Sequence, residues 1–141
     1  MNVLTIELNT ETLLQEIDRE VSKVAARTRN DGVSVYDVLK IYTSDAPLVQ
    51  NALDASIRNI VGQFPDVATE GDDAIIFQLP DFDENNEATL NSEINRYLAV
   101  RTVADWFLTR LPDISQYFSG LTSESMARII TLVRHRKRVT R

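Results

Sequence analysis

The stretch from Ala88 to Leu111 is the strongest constraint on how this chain can fold. Leu90, Ile94, Tyr97, Leu98, Val100, Val103, Ala104, Trp106, Phe107, Leu108 and Leu111 recur there at helical spacing but fall on more than one stripe. A surface helix needs one apolar stripe, whereas a helix with several must be touched by other elements on several sides. The pattern predicts the longest helix of the chain, central in the fold and ended by Pro112. The rest of the sequence must supply its cover.

Val3 to Leu8 alternates, with Leu4, Ile6 and Leu8 on one face and Thr5 and Glu7 on the other, the pattern of a half-buried strand. Asn9 and Thr10 are N-cap candidates, and Thr12 with Gln15 has the capping-box spacing. A helix should follow to about Arg27, with Leu13, Leu14, Ile17, Val21, Val24 and Ala25 inward, until Asn30-Asp31-Gly32 breaks it. Ser34 and Asp37 open a short helix that turns Val35, Val38, Leu39 and Tyr42 inward. Ser44 or Asp45 caps the next, with Pro47 in its first turn and a stripe from Val49 through Leu53, Ile57 and Ile60 to Phe64. Phe64-Pro65 and Glu70-Gly71-Asp72-Asp73 bracket an acidic loop.

Ala74 to Leu79 reads as a second strand stopped by Pro80, and it is the natural partner of the first. After the long helix, Ile114, Tyr117 and Phe118 form a short turn closed by Gly120. Thr122 or Ser123 then caps a last helix, with Met126, Ile129, Ile130 and Val133 inward. The expected fold class is mainly α with a small two-stranded β-sheet (α+β), a helical bundle around the long central helix. Residues 1–133 form a single mostly helical domain, and 134–141 a basic C-terminal tail. Whether the two strands pair within one chain or between two copies stays open at this point.

Charge is laid out unevenly. The last eight residues hold five of the 15 Lys+Arg and none of the 21 Asp+Glu, leaving 10 basic against 21 acidic side chains in the body. Between Arg58 and Arg96 there is no basic residue and nine acids. Such a body repels nucleic acid, while the short basic end can touch phosphate or an acidic surface on a partner. With 141 residues, 43% hydrophobic and 26% charged, the chain fits one globular domain with a real core. The absence of cysteine excludes disulfides and thiolate zinc sites. The N-terminus lacks the basic and long apolar regions of a secretory signal, and no apolar run approaches membrane-spanning length, so a soluble intracellular product without membrane contact is expected.

Motifs for chemistry are scarce. The one histidine, His135, lies in the basic tail, where a general base would lack an orienting carboxylate and a shielded site. The four glycines are isolated, and neither GxGxxG nor GxxxxGK[ST] occurs. Asp81-Phe82-Asp83-Glu84-Asn85-Asn86-Glu87 begins like a calcium loop, but the glycine and glutamate required later in that pattern are Asn86 and Ser92. It reads better as a solvated loop opening a helix. Asp72-Asp73 could act as an acid–base pair, but nothing singles it out, and Trp106 and Phe107 read as core. No catalytic residue, metal site or cofactor is expected.

The contact residues expected are Arg134, Arg136, Lys137, Arg138 and Arg141, touching nucleic acid non-specifically or a neighbouring acidic subunit. An acidic surface on one copy receiving the tail of the next would give a head-to-tail contact that builds rings.

The layout as a whole is similar to a known class. Val3 to Asn9 leads straight into a helix. Ile75-Ile76-Phe77-Gln78-Leu79-Pro80 precedes a long helix containing Glu93-Ile94-Asn95-Arg96-Tyr97-Leu98 and Ala104-Asp105-Trp106-Phe107, and a last helix ends in a basic tail. This resembles small proteins encoded among the virion genes of prophages in gut bacteria and, more loosely, head–tail connector (adaptor) proteins of tailed phages. The resemblance implies a non-enzymatic role in virion assembly, as a connector or tail-completion component. It also implies other virion proteins and copies of itself as partners, and a place in the virion after assembly in the bacterial cytoplasm. The alternative is a small nucleic-acid-associated accessory protein that uses the tail.

Overall fold

The computed structural model describes residues 2–136, so Lys137, Arg138 and Arg141 lie outside the described residues. Strand β1 (Asn2–Glu7) leads into helix α1 (Thr10–Arg27), then the short strands β2 (Arg29–Asn30) and β3 (Val33–Ser34) and the one-turn helix α2 (Tyr36–Leu39). Helix α3 (Ala46–Gln63), strands β4 (Ala68–Gly71) and β5 (Ala74–Leu79), and helices α4 (Glu87–Phe107) and α5 (Pro112–Arg134) complete the chain. The fold is mainly α with a small antiparallel sheet.

β1 and β5 pair antiparallel within the one chain, Leu4 opposite Phe77 and Ile6 opposite Ile75. Because side chains alternate, this register puts all four on the buried face and leaves Val3, Thr5 and Glu7 outside. The sheet has three strands rather than two: β4 comes from the expected acidic loop and pairs with β5, in the order β1-β5-β4. Its turn is Asp72-Asp73, with Asp73 at φ 45°, a left-handed conformation that aspartate tolerates better than most residues. Asn30-Asp31-Gly32 does more than end α1. Asp31 and Gly32 both take positive φ (52° and 80°) and close a second hairpin, β2–β3, as two-residue turns of this type require.

Asn9 caps α1, its side-chain oxygen accepting from the Thr12 N–H at 3.1 Å. α2 departs from expectation: Leu39 is buried, but Val38 is 74% and Tyr42 43% exposed. The helix is only one turn long, and Lys40 leaves it in an extended conformation. Tyr42 then lies over the surface, its hydroxyl donating to the Asp37 carbonyl at 2.6 Å. Asp45 precedes α3 without capping it; its carboxylate accepts from the Tyr42 N–H instead.

The long helix is α4, and α5 is longer still, 23 residues against 21. Leu90, Ile94, Leu98, Val103 and Phe107 on α4 are fully buried, and the helix packs against α5, α3, α1 and β1. Leu108 lies beyond its end and is 60% exposed, not inward. The expected turn at Ile114–Gly120 is absent, since α5 runs unbroken from Pro112, which opens it, to Arg134. Gly120 sits in its interior, where glycine weakens a helix by about 1 kcal/mol without stopping it. Thr122 caps nothing, its hydroxyl bonding back to the Phe118 carbonyl at 2.8 Å. α4 and α5 are sewn together by a Phe107–Phe118 stack, by Ser115 Oγ donating to the Ala104 carbonyl (2.7 Å), and by Ser125 Oγ donating to Glu93 (2.8 Å).

Candidate functional site

The root of the basic tail is fixed on the body. Arg134 is the last residue of α5 and is exposed. Arg136 pairs through its backbone with Phe82, just past β5, and its guanidinium donates to the Val133 carbonyl at 2.6 Å. That bond satisfies one of the carbonyls a helix end leaves open, where a cation is also favoured by the dipole. Arg136 thus caps the helix end while remaining exposed. Of the five predicted contact residues, the described part shows Arg134 and Arg136, both exposed and in no ion pair with another described residue. The structure also supplies what the sequence withheld from His135: Nε2 lies 3.8 Å from a carboxylate oxygen of Asp83. The imidazole is still about half exposed, so it is not a shielded base.

Asp83 explains the apparent calcium loop. One carboxylate oxygen accepts from the Asn85 N–H at 3.0 Å and caps the turn that leads into α4, while the other faces His135. No group of three or more His, Cys, Asp or Glu converges in metal-binding fashion among the described residues. Trp106 and Phe107 are core, with the indole N–H donating to the Leu39 carbonyl at 2.8 Å and Arg110 stacked 3.7 Å over the ring. Between α3 and α4, Tyr97 donates its hydroxyl to Asn59, and Arg101 donates to Ser56 Oγ at 3.1 Å. Burial pushes the Tyr97 phenol above its usual range, and Arg101 pulls the other way. This seam ties two helices together.

Two adjoining concavities were not legible in the sequence. A groove of about 590 Å³ opens where the first half of α1 faces α4 and α5. Its floor is apolar, made by Leu13, Ala99, Val100, Phe118 and Leu121. Its rim carries Glu7, Glu16 and Glu20, with Arg96 the one basic lining residue. At Glu7, Asn9 and Asn91 it joins a second hollow of about 820 Å³ that adds Glu11, Asp72 and Asp73. Glu16 and Glu20 are paired on the helix surface with Arg19 (3.0 Å) and Lys23 (3.4 Å). Glu7, Glu11, Asp72 and Asp73 have no ion-pair partner among the described residues, though Asp73 accepts from the Thr10 hydroxyl at 3.3 Å.

The Asp72-Asp73 turn and the root of the basic tail lie at opposite ends of β5. The Asp72-Asp73 turn precedes β5, and the Phe82 contact that anchors the tail follows it. At about 3.3 Å per residue, the two ends of β5 lie roughly 20 Å apart. No helix among the described residues is long and apolar enough to cross a membrane. No protein-family model, curated protein or solved structure matches this chain.

Proposed function

We propose that this chain is a non-enzymatic structural protein of a phage or prophage virion, a head–tail connector or tail-completion component. It works through contacts with other virion proteins and with copies of itself, and it enters the particle after assembly in the bacterial cytoplasm. The observation that carries this reading is the placement of two features at opposite ends of β5. The root of the basic C-terminal end, at Arg136, is anchored past one end, and the groove joins an acidic hollow at the turn before the other. Opposite charges on opposite parts of one subunit favour a head-to-tail contact, and such contacts close into rings when the rotation allows. The layout resembling small prophage virion proteins points the same way.

The test is a stop codon early in this reading frame within the prophage, followed by induction and electron microscopy of the lysate. The proposal expects filled heads and free tails that fail to join, restored by the chain supplied in trans. Normal yields of complete, infectious particles would reject it. A second reading, as a nucleic-acid accessory protein, is favoured by the exposed Arg134 at the head of the basic run. It predicts a salt-sensitive gel shift with duplex DNA that is lost when residues after Val133 are deleted.

A further inference from the structure

We infer that the groove between α1, α4 and α5 is the receptor for the C-terminal segment, residues 137–141, of a second copy of this chain. The inference rests on the self-associating reading above and names its contact surface.

Leu13, Val100 and Phe118 lie on the groove's apolar floor. Water over such a floor is displaced favourably by an apolar side chain, and Val139 is the apolar residue of the segment Lys137-Arg138-Val139-Thr140-Arg141. The rim decides which segment is welcome. Glu7 on that rim, and Glu11, Asp72 and Asp73 in the hollow that joins it, stand without a cation from the described part of the chain. The incoming segment brings Lys137, Arg138 and Arg141 and no acid. An acidic or neutral peptide would meet uncompensated repulsion or nothing at that rim, so charge selects among apolar-bearing segments.

A second molecule is the natural donor. The tail root is held at Phe82 beyond one end of β5, where the acid that meets it is Asp83, against His135. Asp72 and Asp73, in the hollow that joins the groove, precede the other end of that strand. Groove and tail are different patches of one surface, so their mutual fit is heterologous and leaves each bound copy with a groove and a tail still unused.

The experiment mixes full-length chain grown in ordinary and in nitrogen-15 medium and treats it with a carbodiimide, which joins a lysine amine to a touching carboxylate. Lys137 is the one lysine of the tail. Mixed-isotope peptides joining Lys137 to Glu7, Glu11, Asp72 or Asp73 are expected, falling away as salt is raised. In parallel, the full-length variant E7Q/E11Q/D72N/D73N should weaken self-association by sedimentation roughly tenfold or more, as expected for losing several exposed ion pairs. All four side chains are exposed, so its circular dichroism should match the parent. Lys137 links that are only same-isotope, or that go only to Asp81, Asp83 or Glu84 beside the tail root, overturn this site, as does unchanged association of the variant. Assemblies that form with Lys137 linked elsewhere remove the groove and leave the assembly role standing, which the stop-codon experiment judges separately.

Discussion

Replacing Trp106 by phenylalanine tests the link between α4 and the irregular region before α3. α2 is a single turn, too short to be stable alone, and the Leu39 carbonyl is among those its C-terminus leaves open. The Trp106 indole N–H fills that vacancy at 2.8 Å, inside the core. Phenylalanine keeps most of the apolar contact but cannot donate, so the carbonyl is left buried and unpaired at a cost of about 1–3 kcal/mol. Weaker stacking with Arg110, now 3.7 Å from the ring, adds about 0.5 kcal/mol. A total near 2 kcal/mol, over an unfolding entropy of about 2.1 cal/mol/K per residue, lowers the melting midpoint by about 7 °C. Thermal melts by circular dichroism measure this directly. Hydrogen exchange should also accelerate at the Leu39 and Lys40 amides, whose bonds to Val35 and Tyr36 define the turn. The control R110A removes the stacking and the Arg110 bond to the Trp106 carbonyl (2.7 Å) but leaves the indole N–H bond, and should cost about 2–3 °C. A W106F shift below 2 °C with unchanged exchange in α2 would refute the reasoning.

Four further outcomes follow from particular residues. G120A should stabilise the protein by about 0.4–1 kcal/mol in urea melts, because the added Cβ meets nothing within 4 Å and the helical backbone suits alanine. G32A should do the reverse, since that glycine holds φ 80° in the β2–β3 turn. The raised Tyr97 phenol makes the folded state bind its proton more tightly than the unfolded chain does. The stabilisation is therefore full below the ordinary phenol range around pH 10 and is lost as pH rises through the higher folded value. Urea melts between pH 9 and 11.5 should show that loss reduced in Y97F. E93A, which removes the acceptor of both Ser125 (2.8 Å) and Arg128 (2.8 Å), should cost about 1–2 kcal/mol, discounted because Arg128 is half exposed.

The elements with a clean period were legible in the sequence: the alternation of β1, the stripes of α1 and α3, the β-rich run of β5 and the many-sided α4. The errors trace to punctuation. Gly120 looked like a stop but lies in a helix whose neighbours Phe118 and Leu121 are held by packing, so tertiary contact overrides its weak propensity. Asp72-Asp73 and Asp31-Gly32 looked like loop and breaker. Whether such a pair closes a hairpin depends on partners such as β5, which local composition does not reveal. The basic tail was visible as charge, yet the use of Arg136 at the end of α5 depends on where Val133 and Phe82 come to lie. The groove was not visible at all. Glu7, Arg96 and Phe118 are scattered along the chain and meet only because α1 and α5 both pack on α4.

The assembly role is tested most directly by mass spectrometry of purified particles after prophage induction, with the abundance of this chain measured against the major capsid protein. A fixed ratio of several to a dozen copies per particle is expected. Absence of the chain from intact particles, or an amount that varies freely between preparations, would contradict it.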